Sequence, residues 1–204
     1  MTTRPSLSVP FSVAALALAA CAGEEAGPAA PGAAPQPDPA DIEAARAAAG
    51  ALGGRLRARL VATMAAEGPV AAIAVCNEAA PVIAADVSAE TGMSVGRTAL
   101  RVRNPSNAPD DFERETLEFF LARLGEGADP AALERAEFVH GTDGLAFRYM
   151  KPIMTGAPCL ACHGTEISKP IRVAINERYP EDEGTGFALG DMRGAFTIEK
   201  RLEN

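Results

Sequence analysis

The sequence has no tryptophan, only two tyrosines and two histidines, and four cysteines in 204 residues. No Ser-His-Asp spacing, Gly-rich phosphate loop or second metal-ligand cluster appears, so nothing supports a catalytic constellation. Positive charge is also short. Nineteen Lys and Arg face 27 Asp and Glu, for a formal net charge of −8. That balance argues against nucleic acid as a partner and against electrostatic adhesion to anionic lipid, and it suits a basic protein partner. Internal repeats are absent, and beyond the N-terminus no apolar run looks long enough to cross a membrane. Against this sparseness, "KPIMTGAPCLACHG" packs Cys159, Cys162 and His163 into five residues. Shuffling this composition would give C-x-x-C-H roughly once in two thousand chains.

The N-terminus sets the compartment. "MTTRPSLSVPFSVAALALAAC" carries one charge, Arg4, and then an apolar run from Val9 to Ala20. A run of that length is too short to span a bilayer and reads as the core of a secretion signal. It ends at Leu18-Ala19-Ala20-Cys21, which resembles a bacterial lipobox. Residues 1–20 are therefore expected to be a lipoprotein signal peptide. Cys21 would be the lipidated first mature residue, holding the protein to a bacterial membrane on the periplasmic side. The plainer alternative is an ordinary signal peptide with Cys21 incidental, but a spare thiol is a liability in an oxidising compartment. Residues 21–39, "CAGEEAGPAAPGAAPQPDP", have no aliphatic side chain larger than alanine and read as a disordered tether. Residues 40–204 then form one domain of a size that supports its own core.

Within that domain, Ile42, Leu52, Leu56, Leu60 and Met64 predict a helix from Asp41 to about Glu67, weakened by Gly53 and Gly54. A second helix is expected from Val70 to Thr91, with Ile73, Cys76, Ala80, Ile83 and Val87 on one face. Pro81 interrupts it, frees the carbonyl of Asn77 and predicts a kink just after Cys76. "MSVGRTALRVRN" alternates with period two and reads as a strand. A helix from Pro109 to Leu124 follows, carrying Phe112, Leu117, Phe120 and Leu124 inward. "EFVHGTDGLAFRYMK" reads as a hairpin turning between Gly141 and Gly144, and the stretch after the C-x-x-C-H motif reads as loop. "GFALGDMRGAFTIEKRL" supplies closing strands with Phe196 and Ile198 inward. Helices first and strands later predict an α+β fold with an antiparallel sheet.

Three chemistries use two cysteines and a following histidine. In a covalent c-type haem both thiols form thioethers and the histidine binds iron. A thioredoxin-like dithiol would need a strand leading into the motif, whereas this one follows Pro152 and Pro158. A structural zinc site would combine Cys76, Cys159, Cys162 and His140, leaving His163 unused, with unpaired spacings and in an oxidising compartment. Haem is favoured. Its sixth ligand then lies among His140, five methionines (Met64, Met93, Met150, Met154 and Met192) and Cys76. Parity leaves Cys76 without a disulfide partner once Cys21, Cys159 and Cys162 are committed. A buried structural cysteine is the equally weighted alternative.

The segments "AIAVCNEAAPVIA", "VGRTALRVRNPSNAPDDFE", "YMKPIMTGAPCLACHG" and "GFALGDMRGAFTI" resemble, in that order, a family of PAS-like single-haem c-type domains. The family was long filed as a domain of unknown function, and it also serves as the periplasmic sensor part of kinases and chemoreceptors. The resemblance implies a PAS-like antiparallel sheet with long N-terminal helices and one covalent haem c. It places Cys159 and Cys162 at the attachment positions, His163 as proximal iron ligand and Cys76 as distal ligand. Arg97, Arg103 and Tyr149 are candidates for the haem pocket. The two arginines would serve as partners of the haem propionates; their plainer reading is surface charge. Thiolate ligation stabilises Fe(III) and lowers the potential. Two roles follow: a low-potential electron carrier, or a sensor of redox state or of a diatomic gas. Either requires a separate redox or signalling protein as partner.

Overall fold

A computed structural model describes residues 36–141 and 144–202. The signal peptide, Cys21 and nearly all of the tether lie outside them. The chain opens with α1 (Pro39–Glu67), whose first turn is capped by the Asp38 carboxylate accepting from the Ala40 N–H. Next come α2 (Pro69–Ala74), a π turn (Val75–Ala79) and α3 (Ala80–Thr91), followed by β1 (Ser94–Thr98). A 3-10 turn (Pro105–Asn107) leads to α4 (Asp111–Gly125), which a reciprocal Asp110–Glu113 capping box starts. The hairpin of β2 (Arg135–Gly141) and β3 (Gly144–Met154) is followed by α5 (Leu160–His163), α6 (Lys169–Arg178) and β4 (Met192–Arg201).

The four strands form one antiparallel sheet in the order β1-β4-β3-β2. This is the α+β, PAS-like architecture expected. Pleating sends alternate residues to opposite faces, and each face has its own cover. On one side Val95, Phe147, Tyr149 and Ile198 pack against Ala45, Ala48, Ala49 and Leu52 of α1 and Val87 of α3. The alanines let α1 lie close to the sheet. Gly53 continues that approach, because a Cβ there would sit 2.8 Å from the Phe196 ring. The two glycines expected to weaken α1 thus lie in an unbroken helix, one of them serving a contact. On the other side Met150, Met192 and Ala195 meet Leu117 and Phe120 of α4.

Four expectations change. The predicted strand through Asn104 stops at Thr98. Beyond it the chain turns toward the 182–187 loop, where Glu183 N–H donates to the Val102 carbonyl at 2.9 Å. The stretch after C-x-x-C-H is not all loop. Pro170 starts α6, and Ile171, Ala174 and Ile175 form a buried face that is too short to announce itself in the sequence. The third change concerns Pro81. The Ala80 N–H reaches back to the Val75 carbonyl, five residues earlier. The helix therefore runs through the proline as a π turn, where a simple kink was expected. Because of that continuity, Pro69–Thr91 is a 23-residue helix long and apolar enough to cross a membrane by length and composition. Ala72, Ile73, Val75, Ala80 and Val87 of this helix are buried in the fold, and 28% of its apolar window is buried in all.

Candidate cofactor site

A cavity of about 720 Å³ opens between the second half of α1, the π turn, the β1 end of the sheet and the C-x-x-C-H segment. Its volume lies within the range of roughly 300–1,000 Å³ usual for ligand sites. Cys76, Cys159 and His163 all line it. Residues 87 positions apart in sequence therefore share one chamber.

The motif arm is held by its backbone. Cys159 ends a 3-10 turn, and the single-turn α5 closes with Gly164 N–H donating to the Leu160 carbonyl at 2.9 Å. A Cβ at Gly164 would stand 2.6 Å from that same carbonyl oxygen, so no larger residue fits after the histidine. The turn is tied to the 184–187 loop by Phe187 N–H to the His163 carbonyl (3.0 Å) and Gly186 N–H to the Gly164 carbonyl (2.9 Å). The His163 side chain is fixed by the same loop. Its Nδ1–H donates to the Gly184 carbonyl at 2.6 Å, which makes Nε2 the acceptor nitrogen, facing the Arg103 guanidinium at 3.5 Å. Burial, reinforced by the Arg103 and Arg193 charges, pushes its pKa down to about 3, so the ring is neutral. A neutral imidazole with its far nitrogen held by a carbonyl is the form in which histidine binds a metal.

Arg103 braces this arm. It pairs with Asp182 at 3.0 Å, donates to the Cys162 carbonyl at 2.6 Å and stands 3.5 Å from His163 Nε2. Cys162 itself does not line the cavity. It packs beside Ile73, Ile171 and Ile175, and burial pushes its thiol up while Arg103 opposes. The opposite arm is Cys76, presented by the π turn next to Tyr179, Arg97 and Cys162. π turns interrupt helices at functional positions often enough that this one is informative.

The polar lining is unusual in what it lacks. Arg97 and Arg193 both face the cavity, and among the described residues neither has a carboxylate partner. Arg193 Nε is fully shielded from solvent with no hydrogen bond. Burial and the neighbouring Arg193 charge push the Arg97 guanidinium below its usual range, with Cys76 and Tyr179 acting the other way. Two half-buried cations side by side without an anion are costly unless a ligand supplies the negative charge. The donor set therefore fits a haem. It offers Cys159 on the wall with Cys162 at thioether spacing behind it, a neutral imidazole, a thiol from the other wall, apolar surface from Leu56, Leu60, Val75 and Phe196, and two cations for two propionates.

Several predicted residues lie elsewhere. Tyr149 is fully buried in the core under α1, with its hydroxyl donating to Glu134 at 2.9 Å; it does not line the cavity. His140 is exposed near the tip of the β2–β3 hairpin, opposite Leu145. Of the methionines weighed as ligands only Met154 reaches the cavity. Among the described residues no group of three His, Cys, Asp or Glu side chains gathers as a metal site, so the zinc alternative built on His140 finds no support.

Comparison with known proteins identifies the family and the fold. A family model described as Tll0287-like matches residues 31–200. The chain belongs to the Tll0287-like family. The family's match begins inside the stretch read as tether and covers every wall of the cavity. Among solved structures, the crystal structure of the cyanobacterial heme-protein Tll0287 is similar, at 23% identity and a TM-score of 0.58. The match covers 79% of this chain and 95% of that one, and at this identity it shows the fold. Curated protein sequences give no match.

Sequence reasoning missed Arg193 in this family member. Along the β3–β4 pair, Ile153 opposes Gly194 but Met154 opposes Met192, so Arg193 is the extra residue of a bulge. A bulge re-aims one side chain. The local signal is an Arg-Gly pair inside an otherwise apolar strand, "MRGAFTI". Gly194 has φ +156, and a Cβ there would lie 2.5 Å from the Thr98 carbonyl oxygen.

Proposed function

We propose that this chain is an exported monohaem c-type protein, anchored by lipid at Cys21 on the periplasmic side of a bacterial membrane. It acts either as a sensor of redox state or a diatomic gas, or as a low-potential electron carrier. The observation that carries the reading is the single cavity bringing Cys76, Cys159 and His163 together with two unpaired arginines. The similar solved protein, a cyanobacterial heme-protein, supports the reading.

In this reading the Cys159 and Cys162 thiols attach the group, and His163 binds iron through Nε2 while Gly184 holds its ring. Cys76 would supply a second protein ligand from the facing wall of the cavity. Haem held there supplies a one-electron Fe(III)/Fe(II) couple. Cys76, as thiolate, donates negative charge and favours the oxidised state, so the potential is low. Arg97 and Arg193 neutralise the propionates, and Arg103 keeps the motif turn and the imidazole in register through the Cys162 and Gly184 carbonyls. Cys76 is the residue whose hold on the iron would decide whether a position is open to CO or NO. The acidic surface suits a basic redox or signalling protein as partner.

The test is the oxidised and reduced absorption spectrum and the potential of the exported protein and its Cys76→Ser variant. The reading expects a low-spin ferric wild type and a variant with an altered ferric spectrum and a higher potential. An unchanged spectrum and potential would remove Cys76 from the iron. CO binding by the reduced protein marks the sensor; an unchanged six-coordinate site with fast electron exchange marks the carrier.

A further inference from the structure

A second cavity of about 650 Å³ lies on the opposite face of the sheet, under the C-terminal half of α4. It is an open cleft with Leu121 44% exposed at its mouth, and its volume is in the range usual for small-ligand sites. Its walls are mostly apolar, with Leu100, Leu117, Leu121, Leu124 and Met192 prominent. Its polar groups collect at the strand ends. Arg101 and Arg193 line it, and both also line the first cavity, together with Met154, Phe187 and Gly194. The bulge at Arg193 thus stands in the partition between two chambers.

Two of the three shielded side-chain atoms without a hydrogen bond among the described residues belong to this region. One is Arg193 Nε, and the other is Thr155 Oγ1. Thr155 follows the wall residue Met154, and its backbone is bonded to two further wall residues, Gly190 (2.9 Å) and Asp191 (2.8 Å). The one carboxylate on the wall, Asp191, is already engaged, accepting from the Ala188 N–H at 2.7 Å. Arg101 stacks over the Phe187 ring at 4.3 Å and makes one bond at 3.3 Å to the Glu183 carbonyl, so donors remain. A guanidinium has five N–H donors in a fork that matches a carboxylate. Arg193 therefore has the capacity to meet one anionic group on each side of the partition.

We propose that the second cavity binds a small amphipathic monocarboxylate, with its apolar body against the α4 leucines and its carboxylate on Arg193 and Arg101. This site stands on the second cavity and goes beyond the haem reading. The two cavities share a wall of Arg101, Met154, Phe187, Arg193 and Gly194, so an acid bound there would change the charge next to the haem chamber.

The experiment is calorimetric titration of the haem-loaded protein with octanoate, with butyrate, acetate and octylamine as comparisons. The proposal expects saturable one-to-one binding of octanoate and affinity falling roughly three- to fourfold per methylene removed. It also expects no binding of octylamine. Leu121 lines only this cavity and is 44% exposed at its mouth. Leu121→Trp should block entry and lower octanoate affinity at least tenfold while leaving the haem spectrum unchanged, and Arg193→Gln should lower it as much. Absence of octanoate binding, equal binding of octylamine, or undiminished binding by Leu121→Trp would overturn the proposal. If the exported protein carries no haem, the spectrum reports that separately, and Leu121→Trp still decides which chamber takes the acid.

Discussion

Arg148 and the Arg97–Arg193 pair are guanidiniums of the same sheet with opposite circumstances. Arg148 is buried and surrounded by carboxylates, bonding Asp110 at 2.8 Å and Glu113 at 3.2 Å, with Glu199 at 3.5 Å and the Phe112 ring beneath. Arg97 and Arg193 have no such partners among the described residues and repel one another. One end of the molecule satisfies its charges internally; the other keeps two cations unmatched beside an open chamber. That difference separates a structural network from a binding site.

The largest effect expected from this contrast at neutral pH is on stability. Arg148→Ala removes the centre of this network and leaves Glu113, the most buried of its carboxylates, without a cation, which should cost about 3 kcal/mol in denaturant unfolding. Arg97→Ala in the haem-free chain should leave stability unchanged or raise it, since an uncompensated charge is removed. Equal losses in the two variants would erase the distinction.

A second effect concerns pH. The folded haem-free chain holds His163 neutral down to about pH 3, whereas an unfolded chain protonates it near 6.5. Between those values the unfolded state binds the extra proton, so stability falls as pH drops through the window. The loss should be on the order of 4 kcal/mol across it. The denaturation midpoint should therefore fall less steeply from pH 7 to pH 4 in His163→Gln than in the wild type. Parallel slopes would place the imidazole in solvent.

Gly194→Ala comes next. The added Cβ meets the Thr98 carbonyl, and φ at this position is unfavourable for alanine, so a loss of about 2–3 kcal/mol is expected by thermal or chemical unfolding. The smallest effect belongs to the satisfied end. Tyr149→Phe deletes one hydrogen bond to Glu134, which Arg46 continues to hold, and should cost about 1 kcal/mol.

The same contrast marks what the sequence made legible. Helical periodicity located α1, the α2–α3 rod and α4, the paired glycines located the hairpin, and C-x-x-C-H located one wall of the site. Those signals are local. Cys76 was placed by counting cysteines and by resemblance, and the π turn that presents it follows from Pro81. The unread parts depend on contacts between distant segments. β1 ends early because residues 99–104 turn to the 182–187 loop, Arg193 enters the cavity because β4 bulges against β3, and Tyr149 leaves it because the pleat sends its ring under α1. A strand pattern contains no record of which face, or which bulge, a partner strand imposes.

The central claim is that the unmatched end of the sheet is built to hold a covalently attached haem. The most direct measurement is the pyridine haemochrome of the protein exported with a haem c maturation system, beside the intact mass of the same sample. The account predicts a c-type haemochrome and a mass increased by one haem that survives denaturation, with both lost when Cys159 and Cys162 are replaced by serine. A colourless protein at its unmodified polypeptide mass would contradict it.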